Sequence, residues 1–127
     1  MITERIPEAL RTYLSTLPAE ERPTLQVQLG ELPLEPDDII AIRVSAIPRS
    51  MAFFGGTGKL EDPLITFSVR STSYQTGLTD ATKLKDIFNG QRLVNLDMMP
   101  TGKVIYLGRD ESHRHVFRLN IRTIIKE

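Results

Sequence analysis

The stretch "DPLITFSVRSTSYQTGLTDATKLKDIFNG", Asp62–Gly90, changes its periodicity once, and that change decides the fold. In its first half Ile65, Phe67 and Val69 alternate with Leu64, Thr66, Ser68 and Arg70. A period of two marks a strand whose two faces meet different surroundings. From Tyr74 onward Leu78, Ala81, Leu84, Ile87 and Phe88 recur at helical spacing, which predicts a helix with one apolar face. Ser73 is placed to cap its first turn, and Gly90 suits the left-handed position after its last. Asp80 in the first half and Lys83 and Lys85 in the second agree with the helix dipole. Gly77 reads as a weak point, about 1 kcal/mol less favourable than alanine within a helix.

Upstream, "IIAIRVSAI" alternates again, with Ile40, Ile42, Val44 and Ala46 on one face and Ile39, Ala41, Arg43 and Ser45 on the other. Before it, Leu25, Val27 and Leu29 alternate with Gln26 and Gln28, a short half-buried strand, and "GELPLEPDD" is a turn-rich connection. The first segment reads as a helix: Ile6, Leu10, Tyr13, Leu14 and Leu17 form one stripe, Thr3 is a candidate N-cap, and Pro7 falls early enough to be tolerated. Downstream, a short strand at Leu93–Leu96 and "KVIYLGRD" precede the turn "ESHR". A last strand follows, in which Phe117, Leu119 and Ile121 alternate with Arg118, Asn120 and Arg122. The predicted order is helix, three strands, helix, then two or three strands. That is an α+β fold, a largely antiparallel or mixed sheet with two helices on its apolar face.

The chain's 127 residues suit one domain able to bury a core without staples, and the absence of cysteine excludes disulfides and thiolate metal sites. No secretory leader or membrane span is expected, which points to a soluble, cytosolic protein. Net charge is zero but uneven: residues 1–38 carry eight acidic and three basic side chains, residues 39–127 eight acidic and thirteen basic. Such asymmetry reads as an anionic partner, as one surface matched to another, or as chance along a solvated surface.

The segment "FFGGTGKL", Phe53–Leu60, imitates a phosphate-binding loop, but the motif fails. A glycine should stand five places before the Gly-Lys and a Ser or Thr after it. Those places hold Phe53 and Leu60, and a strand follows where a helix should begin. Residues 48–62 read instead as a long loop or extended hairpin tip between Pro48 and Pro63. Two adjacent phenylalanines there, Phe53 and Phe54, either tuck back onto the core or dock on another subunit. His113 and His115 form an HxH pair with no further ligands in view, so a solvated hairpin tip is the better reading than a metal site. No catalytic motif is assembled, and no cofactor is expected. Arg118 and Arg122 share a strand face, with Arg70 on a neighbouring polar face, either a solvated surface or a nucleic-acid contact.

With this order of elements, residues 62–90 resemble the centre of tail terminator and minor capsid (head–tail joining) proteins of long-tailed bacteriophages. There a P-x-hydrophobic-x-hydrophobic-x-hydrophobic-R strand enters a Ser-Tyr helix start, here Pro63, Ile65, Phe67, Val69, Arg70, Ser73 and Tyr74. The helix closes on a hydrophobic-x-Gly pattern, here Phe88 and Gly90 after Ala81 and Ile87. "LGRDESHRHVFRLNIRTIIKE" is similar to the family's closing hairpin, with Asp110, Arg114, Phe117, Asn120 and Ile121 in its places. The resemblance follows element order along most of the chain and is most specific over residues 63–125. Gly77 departs from it, and the 48–62 loop has no counterpart.

The resemblance implies a single tail-terminator-like domain over residues 1–127, and an assembly protein instead of an enzyme. Its members form a ring, typically a hexamer, in the virion neck, assembled in the host cytoplasm. The ring ends tail-tube polymerisation and presents its other face to the head connector, and DNA passes through its channel. The partners implied are other copies of the chain, the tail tube protein, a head connector or stopper protein and DNA, with no membrane. On that basis Arg49, Met51, Phe53, Phe54 and Lys59 of the loop are candidate subunit or ring contacts, and Arg70, Arg118 and Arg122 a candidate channel or nucleic-acid face. The alternatives are a head-completion or stopper protein of the same neck and a small single-stranded nucleic-acid-binding module.

Overall fold

The computed structural model of the chain describes residues 5–46, 51–52, 59–61, 64–90, 92–93, 96–98 and 103–126. They form α1 (Ile6–Thr16), β1 (Gln26–Leu29), β2 (Ile39–Ala46), β3 (Met51–Ala52), β4 (Lys59–Glu61), β5 (Leu64–Ser71) and α2 (Tyr74–Phe88). Then come β6 (Arg92–Leu93), β7 (Leu96–Met98), β8 (Val104–Arg109) and β9 (His115–Lys126). The main sheet runs β1-β2-β5-β9-β8. Its pairs are antiparallel except β1 with β2, which are parallel. β9 outruns this sheet, and its C-terminal end pairs with β7 on one side and β4 on the other. The class is α+β, as the periodicities predict.

Cross-strand register explains the hydrophobic cluster of the described residues. Ile40 faces Val69, which faces Phe117; Ile42 faces Phe67, which faces Leu119; Val44 faces Ile65, which faces Ile121. These rows lie on one side of the sheet because side chains alternate strictly along a strand. α1 crosses over β1 and β2, and α2 over β5, β9 and β8. Ile6, Leu10 and Leu14 from the first helix and Ala81, Leu84 and Phe88 from the second complete the cluster. Phe88 stacks on Phe67 with ring centroids 5.3 Å apart and touches Tyr13 at 5.8 Å, so one ring ties both helices to the sheet. Burying each side chain of this size contributes about 1.5–3 kcal/mol before the entropy of ordering it is counted.

The local signals at the helix ends mostly hold. The Ser73 hydroxyl accepts from the Thr76 amide at 3.3 Å, and Gly90 adopts φ +77° beyond the last turn of α2. At α1 the residue before the helix is Arg5, which makes no capping bond through its side chain; Thr3 lies outside the described residues.

Two residues of α2 have roles that periodicity does not give. Asp80 is fully buried, and its carboxylate accepts from the Thr24 amide (3.0 Å), the Leu25 amide (2.9 Å) and the Thr24 hydroxyl. It satisfies the backbone where the chain enters β1, a stronger duty than favouring a helix dipole. At Gly77 the helix leaves no room for a side chain against β9: an added Cβ would lie 2.6 Å from Cε2 of Phe117. The absent side chain is a condition of packing, and the helix tolerates its lower propensity for that reason.

The connection from β1 to β2 is a crossover, as parallel neighbours require. Only residues 30–38 are available for it, too few for a helix. Gly30 turns out of β1 at φ +102°, and the segment runs with a cis Glu35–Pro36 peptide bond. Such a segment cannot satisfy its own carbonyls, so donors must come from elsewhere.

Candidate functional site

Those donors are two arginines. Arg70, on the sheet face away from the helices, is 4% exposed and donates to the carbonyls of Pro33, Pro36 and, at 3.2 Å, Asp37. Arg114, after the β8–β9 turn, donates through Nη1 to the Leu34 carbonyl (2.7 Å) and reaches the Asp37 carboxylate (3.2 Å). Its Nε pairs with Asp110 at 2.8 Å. Asp110 also accepts the amides of Ser112 and Arg114, each at 2.9 Å, and so organises the hairpin turn in which His113 takes φ +62°. The Arg114 amide is the main cause that holds the Asp110 carboxyl below the usual carboxylate range. Burial, and then the charge of Arg114, lower the pKa of Arg70. Asp38 completes the clamp by accepting the Thr72 amide at 2.8 Å. The outcome is a crossover fastened at both margins, with the Leu34 side chain on top, 86% exposed.

The three arginines of the expected channel face do lie on one side of the sheet. Ser68 pairs with Arg118 and Leu64 with Arg122, in the same alternation as Arg70. Their surroundings differ. Arg70 is spent on the crossover, whereas Arg118 is half-buried and Arg122 is exposed. The Nε of Arg118 is buried without a hydrogen-bond partner among the described residues. Arg43 of β2 faces Thr66 on this same side, and Thr66 bonds Asn120 at 2.7 Å, so the middle of the face is polar across three strands.

Of the loop candidates, Met51 lies in β3 and Lys59 in β4, the two antiparallel strands of a hairpin that joins the end of β9 through Leu60 and Glu61. Arg49, Phe53 and Phe54 lie outside the described residues. His113 is an exposed turn residue, and His115 is engaged through Nδ1 with the Tyr106 hydroxyl at 2.8 Å. Among the described residues no group of three or more His, Cys, Asp or Glu side chains could hold a metal. No helix among them is long and apolar enough to cross a membrane.

A second surface lies at the β8 edge. Ile105, Tyr106 and Leu107 are 46%, 44% and 48% exposed in succession, and Tyr74 at the start of α2 packs edge-on against Tyr106, centroids 5.3 Å apart.

A solved chain from the virion of a native gene transfer agent particle superposes on this one with a TM-score of 0.60, over 96% of this chain and 95% of that chain, at 17% identity. The two share a fold. At that identity the likeness concerns the backbone, and the surfaces are read from this chain's own residues. No protein-family model and no curated protein matches the sequence.

Sequence reasoning placed Arg70 on the polar face but gave no sign that a distant loop would consume it. The available signal was the proline-rich "GELPLEPDD" between strands too close in sequence for a helical crossover. The Asp110–Arg114 pair was legible only as part of a hairpin, because its second partner, Asp37, is 77 residues away from Arg114.

Proposed function

We propose that this chain is a structural subunit of a virion neck ring that caps the tail tube, ends its polymerisation and joins it to the head connector. The observation that carries the reading is the match to a virion chain over nearly the full length of both. A likeness spanning whole chains is what a shared assembly role would leave after sequences diverge. The order of motifs over residues 63–125 supports the same reading, as do the exposed apolar edge of β8 and the arginine-bearing sheet face. As one tail-terminator-like domain of a ring, typically a hexamer in the family it resembles, the chain acts by geometry and not as an enzyme.

In this reading the hairpin of β3 and β4 reaches a neighbouring subunit or ring, using Arg49, Met51, Phe53, Phe54 and Lys59. Arg118 and Arg122 turn toward the channel and the DNA within it. Replacing Phe53 and Phe54 by serine leaves the monomer folded and weakens assembly; loss of folding instead would return those rings to the core. Co-expression with the tail tube protein and with the head connector separates the terminator from a head-completion or stopper protein. The terminator copurifies with tube, and copurification with connector alone assigns the other role.

A further inference from the structure

The main sheet ends in two edges whose properties fit each other. β8 pairs only with β9 among the described residues, and it carries the exposed run Ile105, Tyr106 and Leu107. An open edge strand with consecutive apolar side chains invites pairing with another strand, and folded proteins usually block such edges with charge, proline or a covering element. The opposite edge is β1, which pairs only with β2 among the described residues. Beside β1, toward the helices, lies a cavity of about 270 Å³ lined by Leu14, Leu25 and Val27, with Arg11 and Arg22 among its walls.

We propose that copies of this chain join head to tail, with β8 of one copy pairing antiparallel with β1 of the next. Strand direction favours it. β2 is parallel to β1, and each later step to β5, β9 and β8 reverses direction, so β8 runs opposite to β1. A repeat that preserves strand direction therefore brings the two edges together antiparallel. Side-chain faces agree as well. Placing Val104 opposite Leu29 sets Ile105 opposite Gln28 and Tyr106 opposite Val27. Val104 and Tyr106 face Leu119 and Phe117, and Val27 and Leu29 face Ile40 and Ile42, all on the helix side. The apolar row would then run unbroken from one copy into the next, with Tyr106 beside the neighbour's cavity. Its arginines suit an aromatic ring face.

Charge selects a second copy as the occupant. Exposed Glu20 and Glu21 precede β1 and exposed Glu31 follows it, whereas exposed Lys103 precedes β8 and exposed Arg109 ends it. Antiparallel pairing brings Lys103 toward Glu31 and Arg109 toward Glu20 and Glu21. The complement of each edge is thus the other edge of the same sheet. Such a contact is heterologous and repeats into a closed ring or a filament. The inference rests on the ring reading in assuming that copies associate, and it adds which surfaces meet.

The chain has no cysteine, which makes disulfide trapping specific. Opposed residues of antiparallel strands lie about 4.5–5.5 Å apart at Cα, within disulfide range. Gln28→Cys with Ile105→Cys in one chain, oxidised after light-scattering measurement of its size, is expected to give a ladder of covalent multimers that each single variant lacks. Ile105→Lys with Leu107→Lys, both at exposed positions, is expected to abolish assembly while leaving the melting temperature unchanged. Assembly without a ladder overturns the edge pairing and leaves the ring standing. A covalent dimer with no higher species overturns the head-to-tail arrangement. A protein that stays monomeric, with or without tail tube protein, overturns both.

Discussion

Gly77→Ala probes the packing of α2 against Phe117 of β9. The new Cβ would stand 2.6 Å from Cε2 and 3.1 Å from Cδ2 of Phe117, and 3.4 Å from Cβ of Ser71, where ordinary contact begins. The ring must therefore retreat by roughly 0.8 Å, the difference between 3.4 and 2.6 Å. It has little room, being fully buried and flanked by Tyr74 (5.5 Å) and Tyr106 (5.1 Å). Overpacking of this kind costs about 1–3 kcal/mol. The gain in helix propensity returns about 1 kcal/mol. The net is a loss of about 0–2 kcal/mol, and each kcal/mol lowers Tm by roughly 3–5 °C in a chain of this length. Because the net is small, the decisive readout is a double-mutant cycle with Phe117→Leu by urea denaturation. With the ring gone, alanine should stabilise, giving a coupling of about 1–3 kcal/mol between the two positions. A gain of about 1 kcal/mol from Gly77→Ala alone, with no coupling, would refute the packing argument.

Three further outcomes follow from hydrogen-bonded polar groups. Asp80→Ala leaves the Thr24 and Leu25 amides without their acceptor and should cost about 2–4 kcal/mol in urea denaturation, with Asp80→Asn losing less because one acceptor oxygen remains. Arg70→Met removes the donors to three crossover carbonyls, so limited proteolysis should cut within residues 30–38 before global unfolding, a site resistant in the parent. Asp110 has its pKa lowered on folding, chiefly by the Arg114 amide, so its contribution is present above the unfolded carboxylate pKa of about 4 and lost as pH falls through the folded value. Thermal melts below about pH 4 should show a smaller acid-induced fall in Asp110→Asn than in the parent.

The fold was legible where periodicity carries it. The alternation of β2, β5 and β9 and the stripe of α2 named the core residues and their faces, because a one-residue slip would have turned each apolar set outward. The crossover was not legible, since its carbonyl partners, Arg70 and Arg114, are distant in sequence and look like surface charge. The packing role of Gly77 is not legible for a related reason: helix propensity is local, while the Phe117 ring that excludes a side chain arrives 40 residues later. The same limit applies to the proposed assembly surfaces. Arg118 and Arg122 are visible on a polar face, but the pairing proposed between the β8 and β1 edges can be framed only when strand order is known.

Electron microscopy of tail tubes assembled from tube protein with this chain present tests the neck-ring reading most directly. A ring of the added protein at one end of each tube, with tubes that cease to lengthen once capped, is the expected result. Tubes that keep growing with open ends while the added protein remains apart would rule that reading out.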